Sequence, residues 1–71
     1  MSYIYKPGDI FVSAKQGVIT ILEVKTESGM NCYKCKVYDK AAVQDKIEHI
    51  WEYTFKTWRD YNIYKYYPVK E

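Results

Sequence analysis

Cys32-Tyr33-Lys34-Cys35 has the C-x-x-C spacing that serves either zinc or dithiol redox chemistry. A structural zinc site needs about four ligands, usually completed by a second thiol pair or paired histidines. Beyond the two thiols this chain offers only His49. A redox pair belongs at a helix N-terminus, where the thiolate is stabilised. The surrounding residues alternate at strand spacing instead, which throws the two thiols to opposite faces. Their Cα atoms then stand roughly 10 Å apart, too far for a disulfide. Cys35 is therefore expected as a small core residue and Cys32 as an incidental thiol.

His49 is the single histidine, and spacing pairs it with neither a nucleophile nor an orienting carboxylate. Glu48 and Glu52 would share a face on a helix, where they read as exposed charges. Three isolated glycines fit turns, not a phosphate-cradling loop. The expectation is a non-enzyme with no catalytic residue, no metal site and no cofactor.

The aromatic residues are the stronger clue. Eight of thirteen lie within positions 51–67: Trp51, Tyr53, Phe55, Trp58, Tyr61, Tyr64, Tyr66 and Tyr67. Each ring can bury on the order of 150–250 Å². A chain of 71 residues builds only a thin core. Trp51 and Trp58 are expected as core anchors. Tyrosine is amphipathic and suits a half-wet contact surface. Arg59, Tyr61, Tyr64, Lys65 and Tyr66 are the expected binding residues, with Lys56 nearby. Such a mixture could stack and neutralise a nucleic acid, or act as hot spots for a protein.

Pro7-Gly8-Asp9 is a turn signal leading into the β-type run Ile10-Phe11-Val12. Ala14 to Gly17 reads as a second turn. Val18 to Val24 is rich in β-branched residues and apolar on both faces until Glu23, as for a strand inside a small closed sheet. Glu27 to Asn31 reads as a hairpin loop, and residues 39–45 as a turn or irregular loop. In the strand from Cys32 to Tyr38, Tyr33, Cys35 and Val37 share one face, with Cys32, Lys34 and Lys36 on the other.

Residues 46–61 fit two patterns. Ile47, Ile50, Trp51, Thr54, Phe55, Trp58 and Tyr61 lie on one helical face. Ile47, His49, Trp51, Tyr53 and Phe55 also alternate as a strand, with Ile50 as the misfit. The reading preferred is a strand over about 46–53, then a short helical turn through 55–60 capped by Thr54. The alternative is a β-meander followed by one helix around residues 41–61. The last strand is expected from Ile63 to Tyr67, with Tyr64 and Tyr66 on one face and Ile63, Lys65 and Tyr67 on the other.

This order of elements, from the PGD turn through DIFV, GVITILEV, YKCKVYD and WEYTF to a closing strand, resembles an SH3-like barrel. It is similar in outline to KOW- and Tudor-type barrels and to small uncharacterised proteins of Gram-positive phages. The resemblance implies a mostly β, single-domain barrel of about five strands over residues 1–71, with a short helical turn before the last strand. Such barrels bind peptides, nucleic acids or proteins, so the scaffold alone selects no partner.

Eleven basic and nine acidic residues, interspersed, give a net charge of +2. That balance lacks the basic stripe usual in strong polyanion binders. No stretch approaches the roughly 20 apolar residues of a membrane span. The opening residues lack a secretory layout, and two cysteines make no disulfide framework, so a cytoplasmic setting is expected. The leading expectation is recognition of a protein, including modulation of a host protein, with homo-oligomerisation as a special case. Nucleic-acid binding is the runner-up, and no membrane partner is expected.

Overall fold

Gly and Asp positions set the turns, and the β-branched runs between them form the strands. The computed structural model describes residues 3–70. Strands β1 (Ile10–Ser13), β2 (Gly17–Glu27), β3 (Met30–Asp39) and β4 (Gln44–Trp51) form an antiparallel meander. Helix α1 (Glu52–Asp60) follows, and β5 (Lys65–Tyr67) returns beside β1. The sheet order is β4-β3-β2-β1-β5. The fold is thus mostly β, with five strands and a short helix before the last.

The tight β2–β3 turn holds Ser28 at φ 50° and Gly29 at φ 77°. Two left-handed residues match the twist of the flanking strands. Gly17, at φ 127°, is required for a second reason: a Cβ there would stand 2.0 Å from the Tyr38 carbonyl oxygen.

Strand β2 carries a bulge that the alternation of its sequence did not announce. Ile21 pairs with Cys35, but Glu23 pairs with Lys34 and Val24 with Tyr33, so Leu22 is the extra residue. One inserted residue reverses the side-chain parity of the rest of the strand. Val24 thereby joins the face of Ile19, Ile21, Tyr33 and Cys35, and Glu23 turns out to solvent.

The core is a cluster of rings. Tyr5 meets Phe11, Tyr33, Phe55 and Tyr66 edge-on, at centroid distances of 5.0–5.5 Å. Phe11 and Phe55 stack at 4.4 Å. Edge-on and offset contacts add to the area these rings bury.

Four expectations are corrected. The strand before the helix ends at Trp51 rather than Tyr53, and the helix spans nine residues, with Thr54 inside it and not capping it. Helix formation starts at Glu52 because its carboxylate is captured by Tyr33 and Asn31 of β3. Second, the face of β4 is the reverse of the one its apolar residues suggested. Ile50, opposite Tyr33, enters the core, whereas Ile47, His49 and Trp51 lie on the outer face opposite Lys36, Lys34 and Cys32. Trp51 is thus no core anchor; it is half-buried and stacks on Tyr53. Third, β5 begins only at Lys65, because Asn62 and Ile63 are used to terminate the helix. Finally, the sheet is open. β4 and β5 are its two edges, and the inner face of β4 carries Lys46 and Glu48, opposite Val37 and Cys35. Charges pointing inward at a seam oppose its closure, since burial there would desolvate them.

Candidate interaction surface

Two carboxylates fix the chain segments that carry the aromatic residues. Asp9, from the Pro-Gly-Asp turn, is 1% exposed. It accepts hydrogen bonds from the Lys6 N–H (3.0 Å), the Val69 N–H (2.8 Å) and the Tyr66 hydroxyl (2.6 Å). Burial alone would raise its pKa, but these donors outweigh that and hold it below the ordinary carboxylate value. Burial, then the bond to Asp9, pushes the Tyr66 phenol up to about 12. The turn and the chain end are therefore pinned together through one buried anion. Gly8 permits the approach, since a Cβ there would meet Val69 Cγ2 at 2.9 Å.

Glu52 plays the corresponding part at the helix start. It accepts the Tyr33 hydroxyl, the Asn31 amide at 3.2 and 3.3 Å and the Ile4 N–H at 3.3 Å. Its pKa is also lowered, because these bonds overcome the upward effect of burial. A carboxylate in the first turn complements the helix dipole as well.

The five sequence-predicted binding residues are distributed by the end of the helix. Asn62 adopts φ 55°, its N–H bonds the Arg59 carbonyl at 3.1 Å, and the Ile63 N–H bonds that of Trp58 at 2.9 Å. This pair of bonds is a Schellman stop with Asn in the left-handed position. It leaves Tyr61 pointing away from the fold, 75% exposed. Tyr64 is half-buried against Trp58 at 4.9 Å and donates to the Gln16 side chain at 2.9 Å. Tyr66 joins the core rings. Arg59 lies across them, its guanidinium 5.1 Å from the Tyr66 ring centre and donating to the Tyr5 hydroxyl at 3.4 Å. Lys65 is on the opposite face of β5, its ammonium 5.8 Å from the Tyr67 ring centre.

The structure thus brings Arg59 and Tyr66 together as a packed unit, and leaves Tyr61 and Lys65 outside it. Further large apolar side chains are exposed as well. Tyr53 is 59% and Tyr67 47% exposed, and Ile63 is 39% exposed. Tyr67 was legible as lying, with Lys65, on the second face of the final strand. Tyr53 was hidden by reading its position as strand. Beside Tyr53 lies a shallow cleft of about 320 Å³, lined by Gly29, Met30, Asn31 and Glu52.

Cys35 is fully buried beside Ile21, and Cys32 is buried on the other face of β3 opposite Trp51. Both thiols are free. Desolvation, then the nearby Cys32 and Glu48, raises the Cys35 thiol to about 12. A thiol so disposed is inert as a nucleophile. Among the described residues, no three His, Cys, Asp or Glu side chains are grouped to hold a metal ion. No buried side-chain nitrogen or oxygen among them lacks a hydrogen-bond partner.

No protein-family profile, curated protein or solved structure matches this chain. No helix among the described residues is long and apolar enough to cross a membrane.

Proposed function

We propose that this chain is a non-catalytic protein-recognition domain whose contact surface is the rim around Tyr61, Ile63, Lys65 and Tyr67, extended by Tyr53. The observation that carries the reading is the exposure of Tyr53, Tyr61 and Tyr67 in a domain whose core already holds four buried rings, with Trp58, Tyr64 and Tyr66 packed against them. Rigid amphipathic rings held at a surface lose little entropy on binding, which makes them effective interface anchors. The four-strand meander, helix and final strand beside β1 support an SH3-like scaffold whose seam is left open. The near-balanced charge of the chain, with no basic excess beyond +2, favours a protein partner over a phosphate backbone.

The test is photo-crosslinking of the full chain, labelled at position 61 or 67, in a lysate of its native cells, followed by binding measurements with the partner recovered. Tyr61→Ala and Tyr67→Ala should weaken that binding roughly tenfold each without moving the melting temperature. Tyr64→Ala and Tyr66→Ala should lower stability instead. Unchanged binding by both rim variants refutes the assignment. Oligonucleotide binding that weakens steeply with salt would replace it with the nucleic-acid reading.

A further inference from the structure

Strand β4 is an eight-residue edge, pairing only with β3 among the described residues. In an antiparallel ladder every second residue of such a strand turns its N–H and C=O away from its neighbour. Residues 41–49 are all exposed, so no other described segment covers this edge. Ile47, at its middle, is 53% exposed on the outer face.

The order of side chains along β4 is self-complementary when read against itself in the antiparallel sense. With Ile47 facing Ile47 of a second copy, Lys46 falls opposite Glu48 and Glu48 opposite Lys46. Asp45 falls opposite His49, placing a carboxylate acceptor against a ring N–H donor. All these pairs obey the alternation already fixed by β3. Positions 46 and 48 share the inner face with Val37 and Cys35, and positions 45, 47 and 49 share the outer face. The two neighbouring registers that keep the faces aligned put Lys46 against Lys46 or Glu48 against Glu48. Like charges directly opposite one another are destabilising, and opposite charges are stabilising. Within one chain, Lys46 and Glu48 lie 4.0 Å apart, so pairing two strands would join two weak exposed contacts into a four-charge cluster.

We propose that β4 is a homodimerisation edge. Two copies pair β4 to β4 antiparallel about a two-fold axis at Ile47, making a continuous sheet from the five strands of each. The surface is isologous, as a two-fold contact must be. The open seam then has a use, because a sheet closed onto β5 would leave this edge unavailable. The proposal stands apart from the tyrosine rim, which involves other residues.

Charge exchange tests it on the full chain by sedimentation velocity over a concentration series. The wild-type chain should show a dimer fraction that rises with concentration. Lys46→Glu alone and Glu48→Lys alone each set like charges opposite in two places, and should weaken dimerisation roughly tenfold or more. An equimolar mixture of the two variants restores every Lys–Glu pair and should form a heterodimer of wild-type strength. The double exchange K46E/E48K should likewise recover the homodimer. Register is tested independently by Ile47→Cys, which brings two thiols opposite each other at the axis and should give a cross-linked dimer on mild oxidation. Asp45→Cys should not, since position 45 faces position 49. Circular dichroism melting of each variant checks that the fold is retained, and the exposure of these positions makes that the expected result. A wild-type chain that stays monomeric at millimolar concentration overturns the proposal. So does a mixture of the two variants that does not associate, or dimerisation by the single variants at wild-type strength.

Discussion

Replacing Tyr66 by Phe removes one oxygen and tests whether Asp9 anchors the fold. The ring keeps its place against Tyr5 and Phe11, at 5.3 and 5.1 Å between centres, so packing is little changed. What is lost is a 2.6 Å hydrogen bond donated to a buried carboxylate. Such charge-assisted bonds contribute about 1.5–3 kcal/mol. A chain of 71 residues has a total stability on the order of 4–11 kcal/mol. A loss of ~2 kcal/mol should then lower Tm by about 8–16 °C. Asp9→Ala goes further, because it leaves two backbone N–H groups and a phenol without their acceptor. At about 1–3 kcal/mol for each orphaned group, the cost approaches the whole stability, and that variant should not fold.

Urea unfolding followed by tryptophan fluorescence measures the Tyr66→Phe cost, and repeating it across pH adds a second check. The Asp9 pKa is lowered in the folded state, so the carboxylate's contribution is complete above the ordinary value of 3.8 and is lost as pH falls through the folded value. The gap between wild type and Tyr66→Phe should therefore hold steady near neutrality and narrow in acid. A cost below about 0.5 kcal/mol at neutral pH, the range of inconsequential surface changes, would refute the anchoring role.

The geometry sets three further outcomes. Gly17→Ala should cost more than about 3 kcal/mol in urea unfolding, since its Cβ would collide with the Tyr38 carbonyl, whereas Gly29→Ala meets no atom within 4 Å and should cost only about 1 kcal/mol for its positive φ. Neither thiol should react with an aromatic disulfide reagent in the native protein, and both should react at once in denaturant; rapid native labelling would contradict their burial. In alkali the Tyr66 contribution is intact below the unfolded tyrosine value of 10.0 and is lost as pH rises to about 12. Tyr66→Phe should accordingly diminish the phenolate absorbance that wild type gains as pH rises to about 12.

Local chemistry alone was enough to mark the first three strands and their turns. Val18 to Val24 has the β-branched content and Cys32 to Tyr38 the alternation that mark a strand, and Cys35 could be placed inside from parity. A hairpin connection within residues 27–31 was legible from composition, but not that only Ser28 and Gly29 form the turn. Within the final strand, the separation of Tyr66 from Lys65 and Tyr67 onto opposite faces was legible as well. Which of those faces would be core was not.

That choice, and most of the candidate surface, came from contacts between distant parts of the chain. Tyr66 packs against the core because Asp9, 57 residues earlier, accepts its hydroxyl, and Tyr5, which lies in no strand, fills the space between the rings. The parity of β4 depended on which side of Tyr33 Ile50 met, and the helix began where Glu52 found Asn31 and Tyr33. Periodicity in a sequence reports which residues share a face. It carries no information on which face the rest of the chain will cover, because that is decided by partners brought near only when the sheet assembles.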